Sequence, residues 1–386
     1  MFPPEPVVSA VLSKDIADEL AKKYEVIVLC PRASRPIGYK FSDDLQNPNY
    51  SVVKLNSYTC APSNLLGRLR ESYSFGKFCS NYILENHTDI KCIYLNTWPL
   101  FAQFQVIHIS KKLNIKTVIH IQDIYPESLT NKFPTIIRKS IIKLLLPLDK
   151  YILRNSSKII GISPSMINYL SESRIIDRNK FELIRNWQDD SVFINNIPKI
   201  RKNKNFTFMF LGSISPSAGV MTIINSFNLA NLNNTKLVIA GNGSDKENCI
   251  AQAHSLKNQN IEFCNVNQED VSELQSQADV LLLPLKIGIS KTATPSKLTA
   301  YLLSRKAIIA GVESDSDVAN IIRNAACGYI VEPENIVSLS EMMKKAHSMD
   351  STILESMGNA GYNYGIAHFS KKANLQKVIS VIESTL

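Results

Sequence analysis

Phe206-Thr207-Phe208-Met209-Phe210-Leu211-Gly212-Ser213-Ile214-Ser215-Pro216-Ser217-Ala218-Gly219-Val220 is the stretch on which the fold turns. Residues 206–211 read as a short buried strand, 212–219 as a turn of small residues, and 218–230 as the helix that follows. A strand buried on both faces and running through a tight turn into a helix is the unit of a parallel α/β sheet. Small side chains let a diphosphate approach the backbone, and N–H groups at a helix start favour an anion. Gly212, Ser213 and Gly219 are therefore candidate binding residues, although the same turn serves equally well as a plain βα connection. No G-x-G-x-x-G is present, which argues against a nicotinamide or flavin dinucleotide.

The alternation extends in both directions. Downstream, strands are expected at 235–240, 260–264, 279–283, 306–310 and 328–331, with helices between them and a helical tail from about 335. Upstream, strands are expected at 25–30, 50–55, 91–96, 115–120, 158–161 and 181–184, with helices at 9–24, 63–85, 99–113 and 133–155 and another from Ser163. Ser9 or Ser13 is a candidate N-cap of the first helix. Residues 187–204, rich in Asn, Pro and Lys, read as a connector. The expected fold is α/β, with two Rossmann-like, doubly wound domains facing a cleft. Residues 1–186 form the first, to which a helix near 367–386 returns, and 187–366 form the second. Ligands bind at the carboxyl ends of such sheets. The first domain opens in a loop, without the central strand that a doubly wound sheet starts from. A strand is thus expected to be missing, leaving a slot between 25–30 and 115–120 or their neighbours.

A chain of 386 residues exceeds one ordinary core, and its 45% hydrophobic and 20% charged content is that of a globular protein. Disorder, collagen and coiled coil are excluded, and no apolar run approaches the ~20 residues of a membrane span. Seven scattered cysteines without a C-x-x-C pair fit a reducing, cytoplasmic setting and argue against a zinc site. The net charge of +9 is unevenly placed. Residues 1–186 hold 25 Lys and Arg against 16 Asp and Glu, while the remainder holds 18 of each. The densest part, 131–160, includes Arg138, Lys139 and Lys143 among many Ile and Leu residues, with Asp149 as its lone acid. Such a helix is either a core helix with a solvated basic side or a surface that meets anionic lipid. Neither stacking aromatics nor a nucleic-acid module accompanies it.

Two further segments carry candidate chemistry. Pro295-Ser296-Lys297 opens a helix after a polar loop. Ser296 offers a hydroxyl, and Lys297 a cation that opposes the helix dipole unless an anion answers it. In Val118-Ile119-His120-Ile121-Gln122-Asp123-Ile124-Tyr125-Pro126-Glu127, His120 and Asp123 stand at the carboxyl end of a strand. There they could orient a sugar hydroxyl or move a proton, while a lone His beside a strand is also an ordinary core residue.

These pieces, with Gly241-Asn242-Gly243, residues 278–284, residues 328–331, Ser163-Pro164-Ser165-Met166 and Arg185-Asn186-Trp187, resemble family-four glycosyltransferases of the GT-B fold. Within that family the likeness is greatest to N-acetylfucosamine-type transferases and relatives of bacterial surface-polysaccharide (O-antigen, capsule) assembly. The wider family carries a Glu-x7-Glu pair, matched here by Thr292 and Ala300, and a basic pair, matched by Ser213 and Ala218. The resemblance implies transfer of a sugar, an N-acetylated deoxyhexose, from a UDP-sugar to a lipid-linked acceptor, without a metal or other cofactor. Gly241 and Asn242 would lie near the base and ribose, with residues 212–219, Ser296 and Lys297 on the diphosphate. The protein would be peripheral on the inner face of the cell membrane. A nucleotide-sugar epimerase of the same fold, an inactive glycosyltransferase-like subunit and a periplasmic-type binding protein are the rival readings.

Overall fold

The computed structural model describes residues 2–5, 8–34, 49–60, 65–96, 100–130, 134–187, 190, 191, 193, 205–267, 270–292, 295 and 297–386. The chain forms two compact α/β units, Met1–Asn186 with Asn374–Leu386, and Trp187–Ala373.

In the second unit six strands run parallel: β7 (Phe206–Leu211), β8 (Thr235–Ala240), β9 (Ile261–Cys264), β10 (Val280–Pro284), β11 (Ala307–Gly311) and β12 (Gly328–Val331). Their order is β12-β11-β10-β7-β8-β9. This is the doubly wound order, whose switch point lies between β7 and β10. Phe208, Phe210, Leu237, Ile239 and Leu282 face one buried layer, while Met209, Val238, Leu281 and Leu283 face the other. Alternate residues of the same strands thus feed two cores, which explains why these segments are apolar throughout.

In the first unit the strands are β1 (Ile27–Pro31), β2 (Ser51–Leu55), β3 (Cys92–Asn96), β4 (Lys116–Ile121), β5 (Lys158–Gly161) and β6 (Phe181–Leu183). All their pairings are parallel. They form two sheets, β1-β2 and β3-β4-β5-β6. Among the described residues no strand joins β1 to β3, the place that the central strand occupies in the doubly wound order. Among the described residues the break thus falls between β1 and β3, the neighbour of β4, within the expected range. The first helix, α1 (Val8–Leu20), touches both parts. Its Ala17 packs with Phe2, Cys30 and Tyr50. The Asn96 amide donates to Ser9 O at 3.2 Å and to Ser13 Oγ at 2.7 Å.

Neither serine is the cap expected of it: α1 begins before Ser9, and the Ser13 hydroxyl donates back to Ser9 O within the helix. Two other helices of this unit bear on function. α5 (Thr135–Asn155) is the basic helix, and α6 (Pro164–Arg174) is capped by Ser163, whose hydroxyl accepts from Met166 N–H. The last helix, Lys371–Glu383, is tied to α1 and the turn after it by Lys23–Glu383 (3.0 Å) and Gln376–Glu19 (3.1 Å).

Candidate active site

At the switch point of the second unit β7 and β10 pair only through Phe208 and Met209, then diverge. Leu211 at the end of β7 would be left with an unpaired N–H and C=O. The buried Tyr301 hydroxyl satisfies both, accepting from Leu211 N–H at 2.8 Å and donating to Leu211 O at 3.1 Å. Tyr301 belongs to the short helix Lys297–Leu303. Lys297, four residues earlier, shares its face and is carried over the end of β7. The Lys297 ammonium sits 4.3 Å from the Phe210 ring centroid. A Cβ on Gly212 would stand only 3.3–3.4 Å from its Cε and Nζ. Among the described residues no hydrogen bond or ion pair engages Lys297. Burial without a counter-charge pushes its pKa down to about 8.

Gly212 has φ +146°, and a Cβ on Gly241 would lie 2.1 Å from Gly212 O. The two loop starts thus touch backbone to backbone, which only glycine allows. This corrects part of the expected diphosphate cradle. Gly212 N–H is already bonded to Ala240 O (3.0 Å), and Ile214 N–H to Asn242 O (2.8 Å). Ser213 between them is exposed. Gly219, in the left-handed region at φ +66°, precedes the helix Val220–Ala230 and packs against Pro284 at the end of β10. The exposed Asn242 accepts from Lys246 Nζ at 2.9 Å, and the same ammonium donates to Asn265 at 2.6 Å. Ser296 lies outside the described residues.

Sequence reasoning missed Tyr301, Lys246 and two carboxylates that hold the loop after β10. Glu313 accepts from Gly288 N–H and from the Ser290 hydroxyl, and Glu334 accepts from Ile287 N–H at 3.1 Å. A tyrosine hydroxyl four residues after the lysine, and so on the same helix face, is the signal that could have revealed Tyr301. Ala300, at a position where the wider family has glutamate, is buried against Phe193 and Leu303.

In the first unit the structure separates the two candidates of β4. His120 is 0% exposed inside the sheet, with Nδ1 2.7 Å from the Tyr94 hydroxyl. Desolvation lowers its pKa to about 4, so the ring is neutral at physiological pH. From that position it ties β4 to Tyr94 of β3. Asp123 lies in the turn beyond the strand and is exposed, and protein crowding around it desolvates the carboxyl and raises its pKa. The cavity beneath, lined by Asp123, Tyr125, Gln103 and Asp149, measures about 10 Å³. That is room for one water at most.

Arg138, Lys139 and Lys143 share α5 with Ile137 and Leu144, which are 49% and 74% exposed. The lone acid, Asp149, is turned inward. Among the described residues no three His, Cys, Asp or Glu side chains are grouped to hold a metal. None of the described helices is long and apolar enough to cross a membrane.

Comparison with known proteins gives this geometry its class. Residues 9–192 match the family described as Glycosyltransferase Family 4, and residues 193–364 match Glycosyl transferases group 1. The chain belongs to the family-four glycosyltransferases of the GT-B fold and is a nucleotide-sugar-dependent enzyme. Solved structures with the same fold include HepE of Anabaena in complex with UDP. That structure has a TM-score of 0.72 at 15% identity, with 99% of this chain and 98% of that chain covered. WaaG, a glycosyltransferase involved in lipopolysaccharide biosynthesis, gives 0.69 at 16% identity, with 99% and 97% covered. Sucrose-phosphate synthase of Thermosynechococcus elongatus gives 0.70 at 13% identity, with 97% and 92% covered. No match was found among curated proteins.

Proposed function

We propose that this glycosyltransferase moves a sugar, an N-acetylated deoxyhexose, from a UDP-sugar to a lipid-linked oligosaccharide acceptor in bacterial surface-polysaccharide assembly. The observation that carries the donor half is Lys297, a partly buried cation that has no carboxylate partner among the described residues, seated beside Gly212 at the switch point. A desolvated cation is costly unless an anion answers it, and a departing diphosphate is such an anion. Lys297 and the start of the helix after Gly219 take the diphosphate, and Gly241, Asn242 and Lys246 line the nucleotide side. Ser213 and Ser296 offer hydroxyls to the phosphates. Charge on the leaving group grows towards the transition state, so Lys297 contributes more to turnover than to binding. In this reading Lys297 carries the charge without a metal, and turnover persists in excess EDTA.

Asp123 meets the acceptor hydroxyl as proton acceptor or orienting group. The UDP complex of Anabaena HepE and the involvement of WaaG in lipopolysaccharide biosynthesis support the choice of donor and acceptor class. The outward face of α5, cationic through Lys139 and Lys143 and apolar through Ile137 and Leu144, is suited to an anionic leaflet. In this reading that face meets the inner leaflet of the cell membrane.

The deciding experiment is a thermal-shift panel of nucleotide sugars, followed by transfer to a lipid-linked acceptor with the best of them. A donor at 100 times its dissociation constant adds ~2.7 kcal/mol to stability. A donor rearranged without acceptor would favour the epimerase reading. Failure of every UDP-sugar to stabilise the protein would remove the donor assignment.

A further inference from the structure

We propose that Arg174 is a positioning residue for sugar transfer, its guanidinium fastening the turn that presents Asp123. The proposal rests on the reading of Asp123 as a group that meets the acceptor. Arg174 ends α6 and is 1% exposed. Its Nη2 donates to Tyr125 O at 2.9 Å and to Glu127 Oε2 at 2.7 Å. Its Nε donates to Asp149 Oδ2 of α5 at 2.7 Å, and Nη1 to the Ser173 hydroxyl at 2.9 Å. The Tyr169 hydroxyl holds the second Glu127 oxygen at 2.7 Å.

The turn 122–126 is neither helix nor strand. One end is fixed by β4, and the guanidinium fixes the other through a backbone carbonyl and a carboxylate two residues on. The space beside the turn, lined in part by Asp123, measures only about 10 Å³. A buried ion cluster is weak evidence for a stabilising role, since apolar side chains of like volume often serve as well. What this cluster adds is direction, because a planar fork constrains angle as well as distance. Burial works against the Arg174 charge, but the bonds to Glu127 and Asp149 outweigh it and keep the guanidinium protonated.

The test is kinetic. Arg174→Lys keeps the charge and loses the fork, and Glu127→Gln weakens the same link from its more exposed side. Each is measured alone and combined with Asp123→Asn, with melting curves to confirm folding. Arg174→Lys is expected to lower kcat by ~10²-fold, the scale of a ~1 Å misplacement, with donor KM near wild type. Glu127→Gln is expected to move kcat in the same direction by a smaller factor, and it decides the matter if Arg174→Lys does not fold. In the Asp123→Asn background both substitutions should add little, because they act through the group already removed. Wild-type kcat in a folded variant, or losses that multiply with Asp123→Asn, would overturn the role of Arg174 while leaving Asp123 in place. Wild-type turnover by Asp123→Asn alone would overturn the reading of Asp123, and the role of Arg174 with it.

Discussion

Lys297 is the residue at which stability and function pull apart. Desolvation holds its pKa near 8, so the folded apo protein bears the strain of a partly buried charge. Lys297→Met should stabilise the apo protein by on the order of 1–3 kcal/mol in urea unfolding, since a shift of one pKa unit is ~1.4 kcal/mol. The same substitution should weaken the donor-induced thermal shift and lower kcat further still. Wild-type turnover in that variant would place the diphosphate elsewhere. The pH dependence has a definite sign. As pH rises through about 8 the free enzyme's ammonium loses its proton, so donor affinity should fall above pH 8 in wild type and stay flat in Lys297→Met. Asp123→Asn keeps shape and removes charge, and transfer should drop by ~10²-fold with donor binding little changed. His120, buried and neutral, should show its effect in melting temperature rather than in the pH profile of kcat.

Among elements, the short helix Lys297–Leu303 is aimed by Tyr301 rather than by its own propensity. Tyr301→Phe leaves the Leu211 N–H and C=O buried without their partner, a cost of ~1–3 kcal/mol. It should also loosen donor binding, because the helix start that bears Lys297 is then held less firmly. For α5, the expectation is sedimentation with anionic vesicles at low salt and release as salt rises. Lys139→Glu with Lys143→Glu should abolish the association. Binding that survives the double change would show that this face is not the contact. Here the arrangement of charges was readable in advance, but the inward turn of Asp149 was not. That acid is claimed by Arg174 from α6, a partner 25 residues away in sequence.

At the scale of the whole molecule the two units differ in their sheets. Among the described residues the second has one six-stranded sheet, whereas the strands of the first form two sheets that part between β1 and β3. Amides of β1 and β3 that point into the division should exchange with solvent at least ~10-fold faster than those of β4, which is paired on both sides. Equal protection would mean that the division is closed in solution. The charge is divided along the same line, with the excess of +9 in residues 1–186 and none in the rest.

Alternating short apolar strands and helices were enough to read two parallel α/β units, because a strand buried on both faces must be apolar at every position. All twelve described strands fall within two residues of their expected bounds. The glycines at the ends of β7 and β8 were legible for a similar reason, since a backbone that comes so close to another tolerates no side chain. Tertiary structure alone decided which amides of that loop were already used and that Tyr301 carries Lys297 over Gly212. It also decided that His120 lies inside the sheet while Asp123, three residues later, lies outside it. Each of these depends on a partner far along the chain or on which face of a strand meets a neighbour. Local pattern records the period of burial but not the identity of what lies across the contact.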